Sequence, residues 1–343
     1  MAGQLARWKV LGVVGVLAVA AIAGAYFFGL FPFYSTEVCR VSEAGMIPIP
    51  NLNGRIDHMA FDSQRQQLYV AALGNNSLDV VDLASGQLKR ALVGFNEPQG
   101  VAYVSGSDRV YVSNGGSGVV NILDANSLST VASISIGPDA DNIRYDPNLN
   151  LVYIGYGQGA VAAMNSTSQD VVGTIGLAGH PEAFAIDQPS RTMFVNVPGS
   201  GYIAVANTST YSVLERWPLG NATGNFPMAL DTANSRLFVG TRSPAELVVI
   251  DSGTGKTVTT LSIPQDPDDI YFDVGNGCIY ISSGSGFLTA VKENDPSHFS
   301  IVQEVATANG ARTSLLIPEL GLYCVAAPGS QSSQAKILEF KID

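Results

Sequence analysis

The stretch VYVSNGGSGVVNILD, residues 110–124, contains the pattern that decides the fold of this chain. An apolar strand with a central tyrosine is followed by a Gly/Ser turn and by a second apolar strand that ends in Asp124. Such β-branched and aromatic runs around glycine-rich turns are typical of β-hairpins. The apolar–aromatic–apolar triplet at its start recurs at Leu68-Tyr69-Val70, Val152-Tyr153-Ile154, Met193-Phe194-Val195, Leu237-Phe238-Val239, Ile279-Tyr280-Ile281 and Leu322-Tyr323-Cys324.

A second pattern has the same period. Two apolar residues followed by Asp precede most of these triplets, as at Ala60-Phe61-Asp62 and Ala185-Ile186-Asp187. The last positions of the seven aligned units are residues 62, 104, 146, 187, 231, 273 and 318, so their spacings lie between 41 and 45 residues. Four-stranded propeller blades repeat about every 40–45 residues. The repeat therefore predicts an all-β, seven-bladed β-propeller over residues 37–343, in which the recurring Asp shapes a tight turn.

The seventh unit supplies only three strand-like segments. The segment from Glu37 to Ile49 precedes the first unit and has no partner in the repeat pattern. Pairing this segment with the seventh unit would cover a sheet edge that is otherwise open. We therefore predict that an N-terminal strand forms the outer strand of blade seven and closes the ring.

The N-terminal region has the composition of a membrane anchor. Arg7 and Lys9 precede an uncharged run from Val10 to Thr36, which is long enough to cross a bilayer as a helix. Because positive residues stay on the cytoplasmic side, the propeller is expected to face the periplasm or the cell exterior. The alternative is a cleaved signal peptide, with Ala21-Ile22-Ala23 as a small-x-small cleavage site. Residues 1–36 are thus predicted to be a cytoplasmic stub and transmembrane anchor, or a signal peptide.

Charge and cysteine content limit the partners and the compartment. The formal net charge is −11, which argues against a nucleic-acid surface because such a surface needs a basic stripe. The expected partners are the membrane, through the N-terminal helix, and other membrane or cell-surface proteins.

The cysteine content is low. Cys39, Cys278 and Cys324 form an odd and widely spaced set, which is not a disulfide framework. We expect buried free thiols, with a single disulfide as the alternative.

The strands resemble the YVTN repeat family, whose consensus is close to Val110-Tyr111-Val112-Ser113-Asn114. The resemblance covers residues 37–343 and is closest to the YncE-like branch of extracytoplasmic propellers. Five stretches taken together resemble that branch: GRIDHMAFD (54–62), EPQGV (97–101), GHPEAF (179–184), NFPMALD (225–231) and GARTSLLIPEL (310–320). The resemblance implies a seven-bladed propeller, but this architecture hosts binding, scaffolding and several enzymatic chemistries.

Polar residues that precede the aligned motifs are expected to converge at one mouth of the central channel. The first strand of each propeller blade lines the channel, so the loop that enters this strand lies at its mouth. The short segments just before the seven aligned motifs, here called the windows, contain His58 and His180 as tentative catalytic residues. They also hold four candidate ligand-binding residues, Arg55, Asp57, Gln99 and Arg312, and six candidate metal ligands, Glu97, Asp141, Asn142, Glu182, Asn225 and Asp269.

Clustered carboxylates cannot all ionise cheaply unless positive charge offsets them. The windows also contain Asp139, Asp266 and Asp268. A divalent cation such as Ca²⁺, pairing with Arg55 and Arg312, or raised carboxylate pKa values are therefore the physical options. The structural alternative is that the Asp residues only cap turns and the Arg residues only lock the ring.

Three functions follow from these options. The first is a membrane-anchored propeller that binds a ligand or acts as a protein-interaction scaffold, as a subunit of a membrane complex; it is favoured because no catalytic motif is recognisable. The second is a lactonase-like hydrolase that depends on a divalent metal in the channel. There the cation would polarise a carbonyl and activate water, and His58 or His180 would act as base. The third is a quinoprotein-like electron-transfer subunit, although the chain has no cofactor motif.

Overall fold

A computed structural model describes residues 38–330 and 333–342. These residues form seven four-stranded antiparallel sheets. Blades one to three contain β2 (Met59–Asp62), β3 (Gln67–Ala72), β4 (Ser77–Asp82), β5 (Gln87–Val93), β6 (Pro98–Val104), β7 (Arg109–Asn114), β8 (Val119–Asp124), β9 (Thr130–Ser135), β10 (Ile143–Asp146), β11 (Leu151–Tyr156), β12 (Ala160–Asn165) and β13 (Val171–Gly176).

In blades one to six, the four strands of each sheet pair in chain order, from the inner strand to the outer strand. Blades four to six contain β14 (Phe184–Asp187), β15 (Thr192–Val197), β16 (Tyr202–Asn207), β17 (Ser212–Pro218), β18 (Thr223–Asp231), β19 (Arg236–Ser243), β20 (Ala245–Asp251), β21 (Thr257–Ser262), β22 (Pro267–Asp273), β23 (Cys278–Ser283), β24 (Phe287–Asp295) and β25 (His298–Ala306). Blade seven contains β26 (Thr313–Ile317), β27 (Leu322–Ala327), β28 (Lys336–Ile342) and β1 (Val41–Pro48). Short 3-10 turns lie at Leu73–Asn75, Pro198–Ser200 and Pro318–Leu320.

Blade seven combines strands from both ends of the described chain. Strand β1 pairs with β28 in antiparallel register, with Met46 opposite Leu338 and Pro48 opposite Lys336. The order β1-β28-β27-β26 makes β1 the outer strand, which confirms the predicted closure of the ring. The predicted membrane segment, residues 1–36, lies outside the described residues. Among the residues that the structure describes, none belongs to a helix that is long and apolar enough to span a bilayer.

The core consists of seven hydrophobic clusters, one at each interface between neighbouring blades. Strand alternation explains this arrangement, because successive side chains point to opposite faces of a sheet. In β11, Val152 and Ile154 pack against blade two, whereas Tyr153 between them packs against blade four. The recurrent apolar–aromatic–apolar triplet is therefore the element that joins each blade to both neighbours.

The recurring Asp residues shape turns as predicted. Asp62 Oδ1 accepts hydrogen bonds from the backbone N–H groups of Gln64 and Arg65 at 2.9 and 3.0 Å. Asp146, Asp231 and Asp273 accept equivalent backbone hydrogen bonds in their own blades. These turns lie at the ends of the inner strands that point away from the predicted channel mouth, so they take no part in the site described below.

The prediction of three free thiols is wrong for two of the cysteines. Cys39 and Cys278 form a disulfide that joins positions 239 residues apart, whereas Cys324 is free and buried. Cys278 pairs with Asp273 in the hairpin of β22 and β23, at the end of that hairpin opposite to Pro267. The bond therefore ties the segment before β1 to blade six. Sequence spacing could not reveal the pair because the ring brings together positions that are distant along the chain.

Candidate functional site

A polar cavity of about 200 Å³ lies where the loops before the inner strands converge. All seven blades contribute to its wall, and only Ala183 and Phe226 of its lining residues are apolar. The polar lining residues are Arg55, Asp57, His58, Gln99, Asp139, Asp141, Asn142, His180, Glu182, Arg242, Asp268 and Arg312. A wall built from every blade is the arrangement expected at the mouth of a propeller channel.

Close backbone packing between blades two and three positions part of this wall. The Ser113 hydroxyl donates a hydrogen bond to the backbone carbonyl of Asp141 and also binds the Gly100 backbone. A Cβ atom at Gly100 would lie 2.2 Å from the same Asp141 carbonyl, so only glycine allows this approach. Because its main chain is held in this way, Asp141 presents its side chain to the cavity from a rigid position.

Blades five, six and seven are joined by a lattice of two arginines and two aspartates. Arg242 binds Asp266 through Nε at 2.9 Å and also binds Asp268. Arg312 binds Asp266 at 3.0 Å and Asp268 at 3.1 Å. The Arg242 guanidinium also lies 3.6 Å from the centre of the Phe226 ring, as a cation–π contact. Each arginine bridges both aspartates, so both guanidinium groups are already paired within the protein.

Blade one contributes a row of alternating charges. Arg55 Nη2 lies 2.9 Å from Asp57 Oδ2, and His58 lies between Asp57 at 3.8 Å and Asp269 at 3.7 Å. Burial raises the pKa of Asp57 to about 8 against the opposing charge of Arg55. Burial likewise raises the pKa of Asp269 to about 7, although the nearby His58 lowers it. The carboxyl groups on this side therefore hold protons close to neutral pH.

Blades three and four contribute a cluster of one imidazole and two carboxyl groups. Ligand atoms of Asp141, His180 and Glu182 all lie within 4.8 Å of one another. Burial raises the pKa of Glu182 to about 8, and the Asp141 charge adds to this effect. Burial lowers the pKa of His180, but contacts with Asp141 and the Gly157 carbonyl outweigh burial and raise the pKa to about 9. This side contains no arginine among its lining residues.

Nine of the twelve residues predicted from the sequence line the cavity. Glu97 is exposed and is absent from the lining. Asn225 is buried, and its amide donates hydrogen bonds to Asn196 Oδ1 at 2.9 Å and to the Tyr202 carbonyl at 3.2 Å. Asp269 is buried beside His58 and accepts the Ser314 N–H at 2.7 Å, outside the lining. Three of the predicted residues, Glu97, Asn225 and Asp269, therefore do not reach the cavity.

Arg242 is the site residue that the sequence analysis missed. It lies in β19, the second strand of blade five, whereas the residues predicted from the sequence precede the first strands of the blades. Strand β19 has eight residues, against six in β7, β11 and β15, so its end extends to the channel mouth. An unusually long second strand with a charged residue next to its end is the signal that could have identified it.

The charge balance of the site is negative. The cavity lining and its direct ion-pair partners contain seven carboxyl groups, three guanidinium groups and two imidazoles. Even with both imidazoles protonated, full ionisation of these groups would leave a net charge of −2. Since burial makes such a surplus costly, either protons or a bound cation must offset it.

This balance makes stability depend on pH. The pKa values of Asp57 and Glu182, ordinarily 3.8 and 4.5, are raised to about 8 by burial. A raised pKa gives stability that is fully present below the ordinary value and is lost as the pH rises through the folded value. His180, with its pKa raised to about 9, acts in the same direction. We expect the melting temperature, measured with a chelator present, to fall between pH 5 and pH 9.

Asp57→Asn provides the control for this expectation. Because the amide does not titrate, the variant should lose less stability than the parent chain over the same pH range. A melting temperature that stays flat or rises from pH 5 to pH 8 in the parent chain would contradict the raised pKa values.

Comparisons with known proteins show the fold. No protein-family model matches the chain, and no curated protein matches it by sequence. A chain of the solved structure described as Kuenenia stuttgartiensis hydrazine synthase superposes with a TM-score of 0.72 at 14% identity, covering 87% of this chain and 100% of that one. A chain from the crystal structure of the mitotic checkpoint complex superposes with a TM-score of 0.70 at 14% identity, covering 91% of this chain and 94% of that one. The chain is thus a seven-bladed β-propeller with four-stranded blades.

Proposed function

We propose that this chain is an extracytoplasmic binding propeller whose channel mouth holds a small hydrophilic ligand with a positively charged group. The observation that carries the proposal is the cavity to which all seven blades contribute polar side chains. A channel with only a structural role needs no such convergence of charge, because burying ionisable groups destabilises a fold unless they are paired.

The sign of the ligand charge follows from the pairing within the site. Arg242 and Arg312 are each paired with two aspartates, and Arg55 is paired with Asp57, so each guanidinium group in the lining already has a carboxyl partner. Asp141 and Glu182, in contrast, face the cavity with His180 as the nearest cationic group. A cationic group placed beside them would replace the proton that burial otherwise holds on the Glu182 carboxyl group.

The size of the cavity limits the ligand. Small-molecule sites commonly have volumes of roughly 300–1,000 Å³. The cavity here, at about 200 Å³, suits a metal ion with its water or the charged end of a larger molecule. The fold itself is compatible with both catalysis and assembly, because the solved structures that share it come from a synthase and from a multiprotein complex.

The proposed compartment rests on the disulfide. Disulfides persist in oxidising compartments outside the cytoplasm and are rare inside it. The bond between Cys39 and Cys278 therefore supports a location in the periplasm or at the cell exterior. Together with the apolar run that ends at residue 36, it supports the proposal of a propeller anchored to the membrane, where it would serve as a subunit of a membrane complex.

A ligand panel tests the proposed charge. The full chain, purified in a mild detergent, would be titrated with small primary and quaternary amines, divalent cations and small carboxylic acids. We expect cationic compounds to raise the melting temperature, and we expect Glu182→Gln to weaken their binding by about 30-fold or more, as for loss of a buried charged partner.

Glu97→Gln is the matched control for that titration. It makes the same chemical change at an exposed carboxylate outside the cavity, so it should leave cation binding unchanged. Selective stabilisation by the carboxylic acids, or equal effects of the two variants, would contradict the proposal.

A second candidate function is a metal-dependent hydrolase such as a lactonase. The convergence of Asp141, His180 and Glu182 favours it, because a cation held there would polarise a carbonyl and activate water. His58 lines the same cavity between two carboxyl groups, where it would act as a proton acceptor. Hydrolysis of simple lactones by the metal-loaded chain, lost in His58→Gln with metal binding retained, would establish this function.

A further inference from the structure

We infer that Asp141, His180 and Glu182 form a site for a transition-metal ion of the Zn²⁺ type, with Asn142 beside it. This inference deepens the proposed function, since it names the cation that the channel mouth binds. The expectation from the sequence was a Ca²⁺ site of oxygen ligands with the histidines as bases. The geometry points instead to His180 as a ligand and to a different class of metal.

The spacing of the ligand atoms suits a tetrahedral ion. His180 Nε2 and Asp141 Oδ2 are 3.5 Å apart, which is longer than a normal hydrogen bond. Two ligands that each lie ~2.0–2.2 Å from a tetrahedral zinc ion are separated by about 3.4 Å. A carboxyl oxygen of Glu182 completes a triangle whose sides are all within 4.8 Å.

The second ring nitrogen of His180 is held by the main chain. His180 Nδ1 lies 2.7 Å from the Gly157 carbonyl oxygen, which can only accept a hydrogen bond. In the neutral form that can bind a metal, the ring therefore carries its proton on Nδ1, so the lone pair of Nε2 faces Asp141. A histidine that binds a metal through one nitrogen almost always donates its other N–H to a carbonyl or carboxylate. His180 has this arrangement without any rearrangement of the loop.

Asn142 gives an independent sign of a bound ligand. Its side chain lines the same cavity although the residue is only 2% exposed. Its Oδ1 atom accepts no hydrogen bond from any of the described residues. A buried amide oxygen without a partner is costly, because it loses its hydrogen bonds to water. A metal ion, or a water bound to one, would satisfy this oxygen.

The ligand set favours a zinc-type ion over calcium. Ca²⁺ takes about six to eight oxygen ligands, whereas zinc accepts nitrogen and carboxylate ligands in sets of about four. Three of the oxygen donors predicted from the sequence, Glu97, Asn225 and Asp269, do not line the cavity. One imidazole and two carboxylates, with a position left for water, supply the number of protein ligands that open zinc sites use in catalysis.

Metal binding would be measured directly. The full chain, freed of metal by a chelator, would be dialysed against Zn²⁺, Co²⁺, Mn²⁺, Ca²⁺ and Mg²⁺ in turn and analysed for bound metal. We expect one equivalent of Zn²⁺ or Co²⁺, with an intense visible Co²⁺ spectrum typical of tetrahedral coordination. His180→Gln should weaken zinc binding by about 100-fold or more, whereas Glu97→Gln should not change it.

Further outcomes separate this inference from the proposed function. Stoichiometric binding of Ca²⁺ but not Zn²⁺, or zinc binding that survives His180→Gln, would overturn the inference. Binding of small amines by a chain that binds no transition metal would also overturn it and would leave the proposed function intact. Should His180→Gln fail to fold, Asp141→Asn tests the same ligand set, because it keeps the shape of the side chain while weakening the donor.

Discussion

Replacing Arg312 by Met should lower the free energy of unfolding by about 3 kcal/mol at pH 8. Arg312 binds both Asp266 and Asp268 and so connects blade seven to blade six. Methionine has a similar length but no charge, so the variant leaves two acidic groups with Arg242 as their remaining partner in the lattice. We place the effect at the low end for a buried ion pair because about a quarter of the Arg312 side chain, 26%, is exposed.

The size of this effect should depend on pH. Burial raises the pKa of Asp268 even though Arg312 and Arg242 both lower it. Without Arg312, the Asp268 carboxyl is expected to take up a proton more readily, which removes the unpaired charge. Arg312→Met should therefore be less destabilising at pH 5 than at pH 8. Urea unfolding at the two pH values would measure the difference.

Two further variants control the experiment. Arg216→Met removes an exposed guanidinium that contacts the Tyr202 ring at 5.8 Å, so it should change stability by no more than about 0.5 kcal/mol. Combining Arg312→Met with Asp268→Asn should restore part of the loss, because the double variant leaves no orphaned charge. Equal unfolding curves for Arg312→Met and Arg216→Met would show that the lattice adds nothing to stability.

The fold could be predicted because each blade repeats one physical solution. Val110 and Val112 pack against blade one, whereas Tyr111 between them packs against blade three, and the equivalent triplet in every other blade must likewise contact both neighbouring sheets. This requirement recurs about every 42 residues and is therefore visible in a single sequence. The closure by β1 could be predicted for a related reason. The seventh unit lacks a fourth strand, and the segment before the first unit lacks a partner, so pairing the two completes the ring.

The candidate site could be predicted only in part, because sequence windows locate the backbone and not the direction of a side chain. Asn225 occupies the same window in its blade as other polar residues do in theirs, yet its amide turns to Asn196 in blade four. Arg242 lies outside every window and reaches the site from a longer strand. The partners of each charge depend on contacts between blades, which have no counterpart in the local sequence.

The disulfide is the contact between distant segments that the sequence was least able to predict. Its expected effect on stability is also large. It joins positions 239 residues apart, so in the chain-entropy model it removes a large part of the freedom of the unfolded chain, worth roughly 5 kcal/mol. It also holds the segment before β1 against blade six, where Cys39 and Cys278 are both fully buried among the side chains of the interface between blades six and seven. The pairing of β1 with β28 alone does not make this second connection.

Replacing both Cys39 and Cys278 by Ser should therefore lower the free energy of unfolding by about 2–5 kcal/mol and the melting temperature by on the order of 5–10 °C. Cys324→Ser is the matched control, because it alters a buried thiol that takes no part in the bond. Refolding with dithiothreitol present should destabilise the Cys324→Ser chain but should leave the double variant unchanged. If dithiothreitol has the same effect on both, or if the double variant melts at the temperature of the parent chain, then strand pairing alone closes the ring and the bond contributes nothing.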